Sequence, residues 1–188
     1  MENQNKDGVE SGVVVRRGDH RSTVDVLLRV LAFALTLTSA IVLGVNKQTK
    51  VVSVKLVDTL PAVNVPVVAK WHYLSAFVYL VVANAVACSY AALSTIISLN
   101  RKKGWCVPFI AILDSLMVAM LFSADGAAVA IGIMGYKGNS HVRWNKVCNN
   151  FGRFCGQVAA AAALSLLGSI VFVLIVALTT LRLHRRSK

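Results

Sequence analysis

Asp25, Arg29, Asp114 and Asp125 stand in, or at the edge of, long apolar stretches of a 188-residue chain. In a solvated cleft, three carboxyl groups and a guanidinium would suggest acid–base chemistry. Inside hydrocarbon they mean something different, because an unpaired charge there costs several kcal/mol and is drawn to a partner. Arg29 lies about one and a half turns into the first apolar stretch and Asp114 about two turns into the third, counted from the same end at 3.6 residues per turn. An Arg29–Asp114 ion pair is the simplest arrangement that satisfies both. It is expected either to lock two helices together or to form part of an ion or proton path. Asp25, four residues before Arg29, competes for it on the same helix face.

Asp125 is deeper, within residues 123–128. A lone carboxyl group at mid-span is a proton-relay candidate. The alternatives are a hydrogen bond to Asn84 or to a Ser or Thr of a neighbouring helix, or a water-exposed position if the third helix ends early.

Other chemistry is sparse. His20, His72, His141 and His184 are too scattered to converge on a metal, and the chain contains no CxxC, HExxH, GxSxG or Walker loop. No N-x-S/T glycosylation signal occurs either. No catalysis, cofactor or metal is expected. Cys148 and Cys155, with six residues between them, fall in a loop on the outer side and are expected to form a disulfide. Cys88 reads as a packed small hydrophobe, and Cys106, beside Lys102 and Lys103, as a palmitoylation candidate or a free thiol.

The elements that must position these groups follow from composition. The chain is 56% hydrophobic and 15% charged, with a formal net charge of +12 and a mean hydropathy of +0.66. A water-soluble enzyme is excluded. So basic a soluble protein would suggest nucleic acid, but here the apolar residues come in uninterrupted blocks, which confines the charge to loops and tails and leaves no nucleic-acid partner.

Four blocks are long enough to cross about 30 Å of hydrocarbon: residues 24–45, 74–99, 107–136 and 156–181. The expected organisation is a leader at 1–23, a four-span membrane domain at 24–181 and a basic tail at 182–188. The leader, the second connection and the tail hold 11 basic residues, against 8 in the other two loops. That excess predicts cytosolic termini. Trp71, Tyr73, Trp105, Tyr136 and Trp144 sit where interfacial anchors belong, and Pro108 suits a first helical turn. Alternation at 52–56, with Pro61 and Pro66, suggests a short strand or hairpin in the first outer loop.

Small residues at four-residue spacing, Ala124/Ala128/Gly132, Ala161/Ser165/Ser169 and Gly152/Gly156/Ala160, are read as helix-packing surfaces.

Several segments carry a family likeness: Leu28-Arg29-Val30-Leu31, Val45-Asn46-Lys47-Gln48-Thr49, Tyr73-Leu74-Ser75-Ala76-Phe77-Val78-Tyr79, Leu113-Asp114, Gly138-Asn139-Ser140-His141, and Trp144-Asn145-Lys146-Val147-Cys148 followed by Phe151-Gly152-Arg153-Phe154-Cys155. From about Asp25 to Leu181 the chain resembles the plant Casparian strip membrane domain-like (CASP-like) proteins. The resemblance implies an all-α, four-helix plasma-membrane protein related to the MARVEL fold, with cytosolic termini, which assembles as homodimers, heterodimers or larger scaffolds. It maps the family's intramembrane arginine onto Arg29, its aspartate of helix three onto Asp114 and its outer-loop cysteines onto Cys148 and Cys155. Founding members form immobile platforms that position lignification machinery. This chain departs from them at Leu56-Val57-Asp58-Thr59-Leu60-Pro61, which sets it in the CASP-like branch.

The expected function is therefore a non-enzymatic scaffold that assembles laterally in the bilayer. The rival is a small ion or proton transporter built on Asp125 and the Arg29–Asp114 pair. The outer loops carry 8 basic residues against Asp58, so weak adhesion to acidic cell-wall polysaccharide is also expected.

Overall fold

A computed structural model describes residues 4–54, 63–99, 107–138 and 146–187. Helix α1 (Gln4–Gly44) leads into a hairpin of β1 (Lys47–Val54) and β2 (Val63–Lys70). A single 3-10 turn, Trp71–Tyr73, then opens α2 (Ser75–Leu99). Helix α3 (Val107–Lys137), the one-turn α4 (Val147–Asn150) and α5 (Gly152–Ser187) follow. Four of these helices are long and apolar enough to span a membrane, over Thr23–Gly44, Ser75–Leu99, Pro108–Lys137 and Gly152–Arg185. The chain is a multi-pass membrane protein with an all-α, four-helix bundle.

The helices form a square. Helix α1 packs against α2 and α5, and α3 packs against the same two, which puts α1 and α3 on one diagonal and α2 and α5 on the other. The inward residues recur at alternating steps of three and four. On α1 they are Asp25, Arg29, Ala32, Thr36, Ser39 and Leu43, and on α5 Phe154, Val158, Ala161, Ser165, Gly168, Phe172 and Ile175. A 3.5-residue period keeps one seam facing the neighbouring helices along the length of a bundle. Lipid tails are as apolar as leucine, so association rests on close packing rather than on removing apolar surface from water. Gly168 illustrates this: a Cβ there would lie 3.1 Å from Thr36 Cγ2, so α1 and α5 approach across a missing side chain.

The hairpin is longer than the alternation at 52–56 suggests. Its antiparallel register runs from Lys47 opposite Lys70 to Val54 opposite Val63, because ladder pairing extends into the less patterned Lys47–Val51 once the two strands meet. Helix α5 starts four residues before the apolar block and runs past it, as a helix does when its flanking residues are also fair helix formers. Trp105, Cys106, Trp144 and the basic cluster at 101–103 lie outside the described residues.

One expectation needs correction. Ala124 and Ala128 are buried, but Gly152, Gly156 and Ala160 face outward, and a Cβ added at Gly152 or Gly156 meets nothing within 4 Å. The seam of α5 runs through Phe154, Val158 and Ala161 instead. Four-residue spacing marks a row on a helix without fixing which way the row points. Gly132 is half-buried and likewise borders open space.

Candidate functional site

The end of the bundle where the chain starts and finishes is pinned by one buried network. Arg29 is 2% exposed. It reaches across the α1–α3 diagonal and grips Asp114 with both arms of its fork, Nη1 to Oδ1 at 3.2 Å and Nη2 to Oδ2 at 3.0 Å. A bidentate guanidinium–carboxylate contact fixes orientation as well as charge. Nη1 also donates to Ser94 Oγ of α2 at 2.9 Å, and Nε donates to Asp25 Oδ2 at 3.4 Å. Arg29 thus serves both carboxylates that competed for it in the sequence, because a guanidinium has five donors in a fixed fork.

Three further groups complete the network. The Tyr90 hydroxyl of α2 donates to Asp114 Oδ1 at 2.7 Å, and Ser98 donates to Asp25 Oδ2 at 3.2 Å. From α5, Arg182 Nη1 lies 3.8 Å from Asp25 Oδ1. All four spanning helices therefore contribute, and two carboxylates face two guanidinium groups. A buried charge is tolerable only when compensated and hydrogen-bonded in this way. Asp25, Tyr90, Ser94, Ser98 and Arg182 enlarge the pair that depth alone suggested. Asp25 was visible by its spacing from Arg29. Tyr90, Ser94 and Ser98 recur every four residues on α2, but hydroxyls are common in membrane helices and gave no signal of their own.

Asp125 occupies a separate region further along α3 and is 2% exposed. Ser169 of α5 donates to its Oδ2 at 3.2 Å. Asn84 bonds across the α2–α5 diagonal to Ser165 Oγ at 3.0 Å and to the Leu80 carbonyl at 2.9 Å, so it meets Ser165 rather than Asp125. Among the described residues, Asp125 Oδ1 and Asn84 Oδ1 have no hydrogen-bond partner, and neither does Asp25 Oδ1 of the Arg29 network. Among the described residues no cation lies within ion-pair distance of Asp125. Asp125 and the Arg29–Asp114 pair are thus two sites, not one path of contacting groups.

At the opposite end, called the loop end below, the hairpin clamps the start of α5. Gln48 Oε1 accepts the Phe154 N–H at 2.8 Å, and Asn46 Nδ2 donates to the Phe154 carbonyl at 3.0 Å. The N–H groups of a first helical turn lack partners within their own helix, and Gln48 supplies one from a distant segment. Neither residue stood out in the sequence except as part of a family-like segment. A disulfide joins Cys148 of α4 to Cys155 of α5, and Cys88 is buried with a free thiol. No group of three or more His, Cys, Asp or Glu side chains that could hold a metal occurs among the described residues.

Residues 18–171 match the model of the Casparian strip membrane protein domain. The chain is 63% identical to CASP-like protein 1E1 of Populus trichocarpa and 61% identical to CASP-like protein 1E1 of Ricinus communis, each over the full length of both chains. It is 54% identical to CASP-like protein 1E2 of Glycine max, over 96% of this chain and all of that one. No solved structure matches.

Proposed function

The chain belongs to the Casparian strip membrane protein domain family, in its CASP-like branch, and on that premise we propose that it is a non-enzymatic scaffold of the plasma membrane. In this reading both termini are cytosolic, and copies associate laterally with one another and with related family members. The observation that carries the proposal is the network around Arg29. Its charges are spent largely on one another and join all four helices, which supports a rigid platform rather than a site of turnover. Outward-facing small residues such as Gly152, Gly156 and Ala160 leave smooth helix faces on which a second copy can lie.

The test is recovery of one tagged copy with a differently tagged copy from plant membranes. Co-recovery that survives dilution of the detergent extract is expected. A solely monomeric protein that carries proton or cation flux in reconstituted vesicles, abolished by Asp125→Asn, would overturn the scaffold reading in favour of a transporter.

The lysines of the first outer loop, Lys47, Lys50, Lys55 and Lys70, supply a cationic surface for acidic wall polysaccharide. Lys55 lies outside the described residues. Binding to pectin is expected to fall with salt and to weaken when the four are changed to Gln; unchanged binding of that variant would remove this part of the proposal.

A further inference from the structure

At the loop end, α3 and α5 part around a cleft of about 450 Å³. Its walls are almost wholly apolar: Val129, Gly132 and Ile133 on α3, with Val158, Ala162 and Leu166 on α5. Phe77 of α2 closes the back, and the paired Cys148 and Cys155 roof the end. The roof is seated, because a Cβ at Gly135 would lie 3.8 Å from Cys148 Sγ. The hollow exists because its walls are small where the seam would otherwise be filled; a Cβ at Gly132 meets nothing within 4 Å. Both walls belong to membrane-spanning segments, so the open side faces acyl chains.

The rim is chemically one-sided. Lys137 adjoins Tyr136, Lys146 adjoins Val147 and Arg153 adjoins Phe154, each a lining residue. All three cations are exposed, and the chain has no acidic residue after Asp125. A hollow that is apolar at hydrocarbon depth and cationic at the head-group level complements a molecule with the opposite ends: an acyl tail and a negatively charged head. A neutral amphiphile would leave the cations unused, and residues 126–188 of a second copy would bring no counter-charge of their own.

We propose that this cleft binds one anionic phospholipid, its acyl chain between α3 and α5 and its head group held by Lys137, Lys146 and Arg153. The lipid fills a gap that packing leaves open.

The test uses the full-length protein in nanodiscs containing phosphatidylglycerol or phosphatidylcholine probes with a diazirine on the acyl chain. Photolabelling by the phosphatidylglycerol probe is expected to concentrate in peptides covering 128–136 and 158–166, at several times the level given by phosphatidylcholine. Gly132→Leu fills the cleft from open space and is expected to cut that labelling at least fivefold. Ala163→Leu, at another lining position that is exposed, serves the same purpose if Gly132→Leu does not fold. The triple change Lys137→Gln, Lys146→Gln, Arg153→Gln is expected to erase the preference for phosphatidylglycerol while the phosphatidylcholine signal stays. Equal labelling by the two probes would overturn the proposal. So would labelling spread evenly over all four helices, or a diazirine lipid excluded from 128–136 because a second copy is cross-linked there.

Discussion

Helix α3 sends two carboxyl groups into the bundle, and the two are treated differently. Asp114 meets a bidentate guanidinium and a phenol. Asp125 meets a serine hydroxyl at 3.2 Å and keeps one oxygen unpartnered. Both are almost fully buried, so depth alone does not separate them. The difference lies in what each fixes. Around Asp114 every partner carries or answers a charge, and removing either Arg29 or Asp114 strands the other in a medium that cannot solvate it. Around Asp125 only a polar shape and a neighbouring hydroxyl are required, so its surroundings constrain the identity of the side chain far less.

Five substitutions sharpen or break that contrast, all read as changes in thermal unfolding of the detergent-solubilised protein. Asp114→Ala is expected to be the most damaging, at about 3–5 kcal/mol, because Arg29 is left buried with Asp25 as its remaining counter-charge. Arg29→Ala combined with Asp114→Ala is expected to cost less than the sum of the singles, since contacting partners couple by about 0.5–3 kcal/mol. Additive losses would dissolve the idea that the pair acts as a unit.

Gly168→Leu, next to Ser169, drives a side chain against Thr36 and is expected to cost about 1–3 kcal/mol through overpacking. If it exceeds Asp125→Asn, packing rather than polarity holds the middle of the bundle. Asp125→Asn, which keeps the shape and an acceptor for Ser169, is expected to stay within about 1 kcal/mol of wild type. A loss as large as that of Asp114→Ala would break the comparison outright. Arg182→Gln is expected to matter least, within about 1 kcal/mol, because its contact with Asp25 spans 3.8 Å and its side chain is 27% exposed.

How much of this was legible depended on contrast. Charges in apolar stretches stand out, so Arg29, Asp25, Asp114 and Asp125 could be named from sequence, and matching depths paired two of them. That Arg29 reaches across a diagonal could not be read, because helix order in a square is a property of packing. The seam period was present in the chain all along, from Asp25 through Leu43 on α1. It was blurred because residues facing lipid are as apolar as residues facing one another, which removes the polar face that normally reveals a helix's orientation. The same loss of contrast put Gly152, Gly156 and Ala160 on the wrong side of α5. The Asn46–Gln48 clamp on Phe154 was invisible for another reason: it joins segments more than a hundred residues apart through backbone groups.

The most direct test of the account is fluorescence recovery after photobleaching of the tagged protein in plant plasma membrane, with wild type beside Arg29→Ala, Asp114→Ala and Asp125→Asn. The account predicts slow, incomplete recovery for wild type and Asp125→Asn, and fast recovery for well-expressed Arg29→Ala and Asp114→Ala. Equally fast recovery in all four would contradict a platform held by the buried network.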